Sequence, residues 1–457
     1  MYREEDIEKI EENYDKIRNE ASFEYKSYYE PTLEEISNVY KVIKNYIIKK
    51  KYIVYGGFAQ NLLIKIKNPK DVFYSEFEGA FYNFPDIADI EFYSSSPNAD
   101  VIELTEELYT HKFKYIEGKV GMHDKTYKIF VNFDNYCDIS YMPENVLANM
   151  PYIIIDGIKC AHPHFMLVDA YRVLTDPMTS YWRIDKSIKR FQKILKYYPI
   201  TESSNQIDIK NNINDDILKF IRKKFIYKKK LIVVGLYACN YYIKKVDKSS
   251  IVNIPYYEVI STDFTRDVIF IYKVLLNKYQ KKITFKEYYP FCEFFDKRVE
   301  YYYDNKIILK VYSNNNRCIV HNFSKKKFTY FGTYNLVIMY LFFEYYYLLI
   351  NNNRYSETIN NLIVKLLKLR NNYLHNKKIT VIDDSPFRDF TFKCFGTPID
   401  MKRSSLFEGL QMFKKGQRKF KYNPTGKPGK IPNYIFNNNS GTQIFDKKYL
   451  IIKKISN

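Results

Sequence analysis

The sequence predicts an α/β chain of the α+β kind, made of two related units behind a helical N-terminal segment. Three observations predict it. Strand-like and helix-like segments alternate between residues 33 and 145. The run KKYIVYGGFAQNLLIKIK at 50–67 returns at 229–246 as KKLIVVGLYACNYYIKKV, with nine of eighteen positions identical and no gap. Later anchors keep their order after each copy. NADVIELTEELYTHKF is answered by FTRDVIFIYKVLLNKYQ, YCDIS by RCIVH, and FMLVDAYRVL by NLVIMYLFFEYYYLL.

The elements follow in order. Residues 1–32 open as MYREEDIEKIEENYDKIRNE, a charged helical run unlike a signal peptide. Residues 33–200 read as a first α/β domain with following helices. In it YIVYGG is a short apolar strand ending in glycine, and ADIEFYS and YKIFVNFDNYCDISYMP are strands rich in β-branched and aromatic residues. CAHPHF, with Cys160, His162 and His164, reads as a strand-to-helix turn, because no second ligand cluster stands at finger spacing. TESSNQIDIKNNINDD at 201–216 is linker-like. Residues 217–395 hold the second copy. Its run LVIMYLFFEYYYLLI is short for a bilayer span and carries Glu344, so it predicts a buried core helix and no membrane contact. Residues 396–457 form a basic tail rich in Gly, Pro and Asn, expected to have little core of its own.

Bulk properties narrow the function. The 457 residues leave room for about two or three domains. A formal charge of +20 favours a polyanionic partner, because Lys and Arg release the counterions condensed on phosphates. The 47 Tyr and 34 Phe suit base stacking, although A/T-rich codons inflate the same residues. Six scattered cysteines without a CxxC pair point to a reduced, intracellular protein.

The candidate chemistry lies in the first copy. Gly56 and Gly57 join a strand to a helix, where glycines let backbone N–H groups approach a ligand and the helix offers its positive end to phosphate. Asp89 and Glu91 stand two residues apart on a strand, so their carboxylates share one face. Such a pair repels itself, and a divalent cation relieves the repulsion. Asp138, on a strand of matching character, supplies a third acid; Asp86 and Asp134 are nearby rivals. No GxxxxGK[ST] phosphate loop occurs.

The order Gly-Gly, acid-x-acid, acid resembles the nucleotidyltransferase superfamily. The words VYGGFAQNLLI, DIEFYSSSPNADVIELTEELY, YCDISYMP and TDPMTSYWRIDKSIKRF are similar to poly(A) polymerase catalytic subunits of poxviruses and of giant cytoplasmic DNA viruses. The resemblance covers the first two hundred residues well and the rest loosely. It implies a nucleotidyltransferase-like catalytic domain and template-independent addition of AMP from ATP to an RNA 3′ end in mRNA polyadenylation. Asp89, Glu91 and Asp138 would be the catalytic acids and would bind two ions of Mg²⁺ or Mn²⁺; Glu91 departs from the commoner Asp-x-Asp. Gly56, Gly57, Gln60, Tyr181, Arg183 and Lys186 would contact nucleotide. Expected partners are RNA and ATP, with either a homodimer or a separate processivity subunit. The setting implied is the host cytoplasm, at the viral factory, with the virion as a second station. The competing readings are a nucleotidyltransferase for a tRNA end and a non-catalytic RNA-binding scaffold.

In the second copy Gly56 becomes Gly235 and Gly57 becomes Leu236. The Asp-Val-Ile anchor pairs Asp89 with Tyr256 and Glu91 with Glu258, and the cysteine anchor pairs Asp138 with Ile319. A cage keeping one carboxylate of three holds metal poorly, so the second domain is expected to be degenerate.

Overall fold

The computed structural model describes residues 2–83, 86–123, 125–204, 215–292, 295–314, 317–417, 419–427, 436 and 438–452. Two helices lead into the first sheet. Helix α1 (Glu4–Tyr28) buries none of its residues. Helix α2 (Leu33–Lys50) carries Ile36, Val39, Tyr40, Ile43 and Ile47 at helical spacing, and all are buried. Thr32 caps it by accepting from the Glu35 N–H, and Lys51 ends it in the left-handed region at φ 59°.

Strand β1 (Ile53–Tyr55) then turns directly into helix α3 (Gly56–Lys65). A small three-stranded sheet follows, of β2 (Ser75–Phe77), β3 (Ala80–Asn83) and β4 (Asp86–Ile87). Strand β5 (Ile90–Ser94) alternates buried and half-buried residues, so Ile90 and Phe92 enter the core while Glu91 and Tyr93 do not. After it come α4 (Pro97–Thr110), β6 (Glu117–Val120), β7 (Thr126–Val131), β8 (Asp134–Tyr141), α5 (Glu144–Leu147), β9 (Tyr152–Ile155) and β10 (Ile158–Ala161). Seven of these strands lie in the order β6-β7-β8-β5-β1-β10-β9. The β5–β8 and β1–β10 pairs are parallel and the other four antiparallel.

The turn expected after Cys160 is present, with α6 (Pro163–Thr175) starting there. It is followed by α7 (Pro177–Ser180), α8 (Ile184–Tyr197) and α9 (Asp215–Ile221). The repeat begins at β11 (Ile232–Val234) and α10 (Gly235–Val246). It continues through β12 (Tyr257–Ser261), α11 (Phe264–Tyr279), β13 (Ile283–Tyr288), β14 (Arg298–Tyr303), β15 (Lys306–Ser313), β16 (Ile319–Ser324) and β17 (Thr329–Gly332). The order β13-β14-β15-β12-β11-β17-β16 matches the first sheet strand for strand, with the same parallel and antiparallel pairs. Even the irregularity between the third and second strands recurs: the register shifts at Ile129/Phe130 in one unit and at Tyr301/Tyr302 in the other.

Helix α12 (Tyr334–Ile350) is the predicted apolar run, and it is a core helix, buried on nearly every side. Helix α13 (Tyr355–Lys377) packs on it. Among the described residues no helix is long and apolar enough to cross a membrane. Strand β18 (Cys394–Phe395) extends the second sheet beside β16. Cys394 is disulfide-bonded to Cys318, with an Sγ–Sγ distance of 2.09 Å, which departs from the fully reduced chain that the scattered cysteines suggest.

By contacts, Met1–Pro163 and Met401–Phe436 form one unit, and His164–Asp400 and Asn437–Asn457 the other. The first unit therefore ends short of the boundary at 200 that the sequence suggests. The tail does not stand as a unit of its own but divides between these two. Helix α14 (Met401–Lys414) and strand β19 (Lys421–Tyr422) belong with the first unit, where β19 adds an antiparallel edge to β6. There the Tyr422 hydroxyl and the N–H groups of Thr425 (3.1 Å) and Gly426 (2.9 Å) converge on buried Glu106. In the second unit, Glu287 accepts from the N–H groups of Ile451 (2.8 Å) and Ile452 (3.0 Å). A buried carboxylate that gathers several donors holds a segment that buries little apolar surface itself. The linker residues 205–214 lie outside the described residues.

Candidate active site

The strand-to-helix corner fixes the first part of the site. Gly56 takes φ +67°, which side chains rarely adopt, and a Cβ built on it would lie 1.6 Å from Oε2 of Glu91. Glycine is therefore required twice, for the turn and for the close approach of Glu91. The Gly57 N–H donates to Glu91 Oε2 at 2.8 Å. The identical asparagines of the two copies serve the fold. Asn61 accepts from Phe73 N (2.8 Å) and Tyr74 N (3.1 Å), and Asn240 pairs with both backbone groups of Val252.

Register fixes the second part. On parallel strands β5 and β8, Glu91 stands opposite Asp138. Asp89, just ahead of β5, is half-buried like Glu91, while Ile90 between them is fully buried. The three acids thus occupy neighbouring positions at the start of β5 and on β8. Across β7 and β8, Lys128 pairs with Asp138, and its Nζ lies 2.7 Å from both carboxylate oxygens.

The bulge fixes the third part. Phe130 pairs with Asn135 but Ile129 with Cys137, so Tyr136 is the extra residue. One inserted residue reverses the alternation. Tyr136 and Cys137 both turn into the core, and Asn135 comes onto the face of Asp138. Its Nδ2 donates to Asp138 Oδ1 (3.0 Å) and Asp89 Oδ2 (3.2 Å), which bridges the two carboxylates. Behind the acids, the Tyr55 ring stacks on Tyr93 with centroids 4.0 Å apart, and its hydroxyl donates to Ser140 at 2.6 Å. Burial, then the Glu91 carboxylate, keeps that hydroxyl protonated far above its ordinary range.

Of the sequence-predicted residues, the structure brings together Gly56, Gly57, Asp89, Glu91 and Asp138. Gln60 is buried in α3, and its Oε1 has no hydrogen-bond partner. Of the rivals, Asp134 sits at the β7–β8 turn, 3.5 Å from Lys26. Tyr181, Arg183 and Lys186 belong to the other unit, where Tyr181 is exposed on a short 3₁₀ turn. Lys128 and Asn135 escape the sequence reading. Lys128 is accessible to it as the polar residue alternating through TYKIFV, whereas Asn135 depends on the bulge.

The second unit repeats this face with other residues. Gly235 takes φ +61°, and a Cβ there would lie 2.1 Å from Oε1 of Glu258. Glu258 is therefore the counterpart of Glu91. The pairing of Asp138 with Ile319 is corrected: Glu258 stands opposite Lys310 in the parallel β12–β15 pair, so Lys310 replaces Asp138. Ile319 instead starts β16, near the sheet edge. Opposite Lys310 on β14 is Glu300, where the first unit has Lys128. Acid and base have exchanged strands. Ile307 takes the place of Asn135. Lys310 Nζ lies 2.9 Å from Glu344, and that acid, with the ring of Tyr256, keeps the buried ammonium charged.

A family model described as poly(A) polymerase catalytic subunit matches residues 41–180. A second, for the C-terminal part of the mimivirus poly(A) polymerase catalytic subunit, matches residues 192–454. A protein of Acanthamoeba polyphaga mimivirus that carries the name of a poly(A) polymerase catalytic subunit is 30% identical over 97% of this chain and 83% of its own. One of the same name from African swine fever virus is 27% identical over 37% of this chain and 35% of its own. The crystal structure of the Megavirus polyadenylate synthase superposes with a TM-score of 0.90 at 31% identity, covering 98% of this chain and 94% of that one. Matched at both ends and over nearly its whole length, the chain belongs to the poly(A) polymerase catalytic subunit family.

Proposed function

We propose that this chain extends RNA 3′ ends with AMP drawn from ATP, without a template. The observation that carries the reading is that Glu91 and Asp138 stand opposite each other with Asp89 next to them, beside Gly56 and Gly57, where the second unit has Glu258 and Lys310, in a chain of this family. The 3′ hydroxyl of the RNA gives up its proton to solvent, its oxygen bonds to the α-phosphorus of ATP, the bond from that phosphorus to the bridging oxygen breaks, and pyrophosphate leaves.

Asp89, Glu91 and Asp138 are the residues that would hold Mg²⁺ or Mn²⁺, in the proposal two ions. Carboxylate oxygens are hard donors of the kind these cations take. As they stand, their oxygens are engaged by Lys128, Asn135 and Gly57, and among the described residues no three acidic, His or Cys side chains are gathered closely enough to hold an ion. Lys128 places one positive charge on both oxygens of Asp138, so loading requires Asp138 to release it. When bound, the ions supply activation of the 3′ hydroxyl and neutralisation of phosphoryl charge.

The protein's own groups do the rest. Gly56 leaves room for Glu91, and the positive end of α3 favours the triphosphate. Gln60 offers an orphan carbonyl oxygen to the nucleotide. Tyr181, Arg183 and Lys186 are proposed RNA or nucleotide contacts of the second unit. The positive balance of the chain supports salt-sensitive tracking of RNA backbone. A homodimer or a processivity subunit completes the proposal, with the host cytoplasm at the viral factory as its place of action.

Primer extension with each nucleoside triphosphate, with and without Mg²⁺ or Mn²⁺, tests the reading. Metal-dependent elongation with ATP is expected. Elongation with UTP or CTP in preference would overturn it.

A further inference from the structure

The degenerate face of the second unit encloses a cavity of about 390 Å³. That size falls within the range of small-ligand sites. Its wall combines rings and charges: Tyr256, Tyr340 and Tyr347 give aromatic surface, and Glu258, Lys310 and Glu344 give polar atoms. The three charged residues are only 7%, 4% and 8% exposed. Their bonds leave capacity to spare. Lys310 donates to Glu344 at 2.9 Å and also bonds Tyr256, and Glu258 accepts from Tyr312 at 2.9 Å, yet an ammonium has three donors and each carboxylate two oxygens. Beside the wall, the guanidinium of buried Arg298 lies 4.2 Å from the Tyr288 ring and 4.4 Å from the Tyr347 ring, and its Nη1 has no hydrogen-bond partner.

The charges choose the ligand. Glu258, Glu300 and Glu344 outnumber Lys310 and Arg298, so a triphosphate would enter an acidic surplus. The corner has also lost its second glycine to Leu236. What suits the wall is a flat, uncharged ring with an amino group next to a ring nitrogen. The amine donates to a carboxylate, the ring nitrogen accepts from the ammonium, and the faces lie on tyrosine. Adenine has that edge, and it is the base of this family's product.

We infer that the second unit's cavity binds the adenine moiety of a nucleoside or of an RNA nucleotide, and not a triphosphate. The adenylyltransferase reading enters only in the choice of adenine among amino-bearing bases.

Equilibrium dialysis of the full chain against labelled adenosine tests it, with variants that separate the two units. Adenosine binding is expected to survive Gly57→Leu, which gives the first corner the residue of the second. It should weaken at least about tenfold in Glu258→Gln, which is nearly isosteric, and in Leu341→Trp, which fills the cavity; uridine should bind at least about tenfold more weakly than adenosine. Competition by oligo(A), sensitive to Glu258→Gln, supports an RNA-borne adenine. Retained adenosine binding without such competition supports a free nucleoside. Binding lost in Gly57→Leu and intact in both second-unit variants would overturn the inference, as would equal affinity for uridine. Failure of the adenylyltransferase reading would show separately, in primer extension.

Discussion

Gly56→Ala and Gly235→Ala form a matched pair of perturbations, because the two glycines share a conformation and differ in what surrounds them. Each takes a positive φ, +67° and +61°. Forcing alanine there costs about 1–2 kcal/mol in backbone strain. The new Cβ would also meet a carboxylate, at 1.6 Å from Glu91 in one unit and 2.1 Å from Glu258 in the other, so each glutamate must move. Together these effects amount to roughly 1–3 kcal/mol, or a fall of about 3–10 °C in melting temperature for a unit of this size. Catalysis separates the two. Displacing Glu91 by an ångström or more moves a proposed metal ligand, and misplacement on that scale costs on the order of 100-fold in rate. Displacing Glu258 moves no such group. Single-turnover primer extension, measured with thermal unfolding of both variants, gives the comparison. Similar losses of stability with a large rate defect only in Gly56→Ala are expected. Equal rate defects, or an active Gly56→Ala with unchanged melting, would refute the placement of the chemistry in the first unit.

Three further outcomes are expected. The double variant Asp89→Ala, Glu91→Ala should abolish synthesis while RNA retention in a gel-shift assay stays within about twofold, since phosphate contacts rather than these acids carry RNA affinity. Lys128→Met should lower the Mn²⁺ concentration for half-maximal activity by about tenfold, equivalent to ~1.4 kcal/mol, because a competing ammonium leaves Asp138; a higher requirement would mean that Lys128 assists loading. Burial pushes the Glu258 carboxyl up from 4.5 to about 6, with Lys310 opposing and Glu344 reinforcing the shift. The folded state therefore holds this proton more tightly than the unfolded one. Its stabilising effect is fully present below pH 4.5 and is lost as pH rises through 6. The change is about 2 kcal/mol, and urea midpoints across that window should flatten in Glu258→Gln.

The sequence discloses the fold where local spacing is conserved. Glu258 matches Glu91 in the sequence because the run from strand to helix has the same length in both units. Its ends are pinned alike, by Ser94 on Asp100 and by Ser261 on Asp267. Asp138 is mismatched when the nearest cysteine serves as the anchor. Cys318 lies beyond the strand in question and is bonded to Cys394. The correct partner is hidden by chemistry as well as by distance, since a search for acids passes over a lysine. Asn135 is illegible for another reason: simple alternation puts it on the wrong face, and only the bulge brings it to Asp89 and Asp138. Where the C-terminal segment docks is hidden in the sequence because it is held by Glu106 and Glu287, each more than a hundred residues away.

The exchanged pair, Lys128 with Asp138 and Glu300 with Lys310, bears on how one face could be converted into the other. Swapping the two charges leaves the net charge of the strand pair unchanged while removing an acid from the position opposite Glu258. A single substitution at either position produces two like charges side by side in a poorly hydrated site, which is costly. The route from one arrangement to the other therefore crosses a barrier in sequence space, and it is just as steep in reverse. Lys310→Asp alone would set two carboxylates against each other, at 310 and at Glu300; building the first unit's arrangement into this copy starts with both residues changed together.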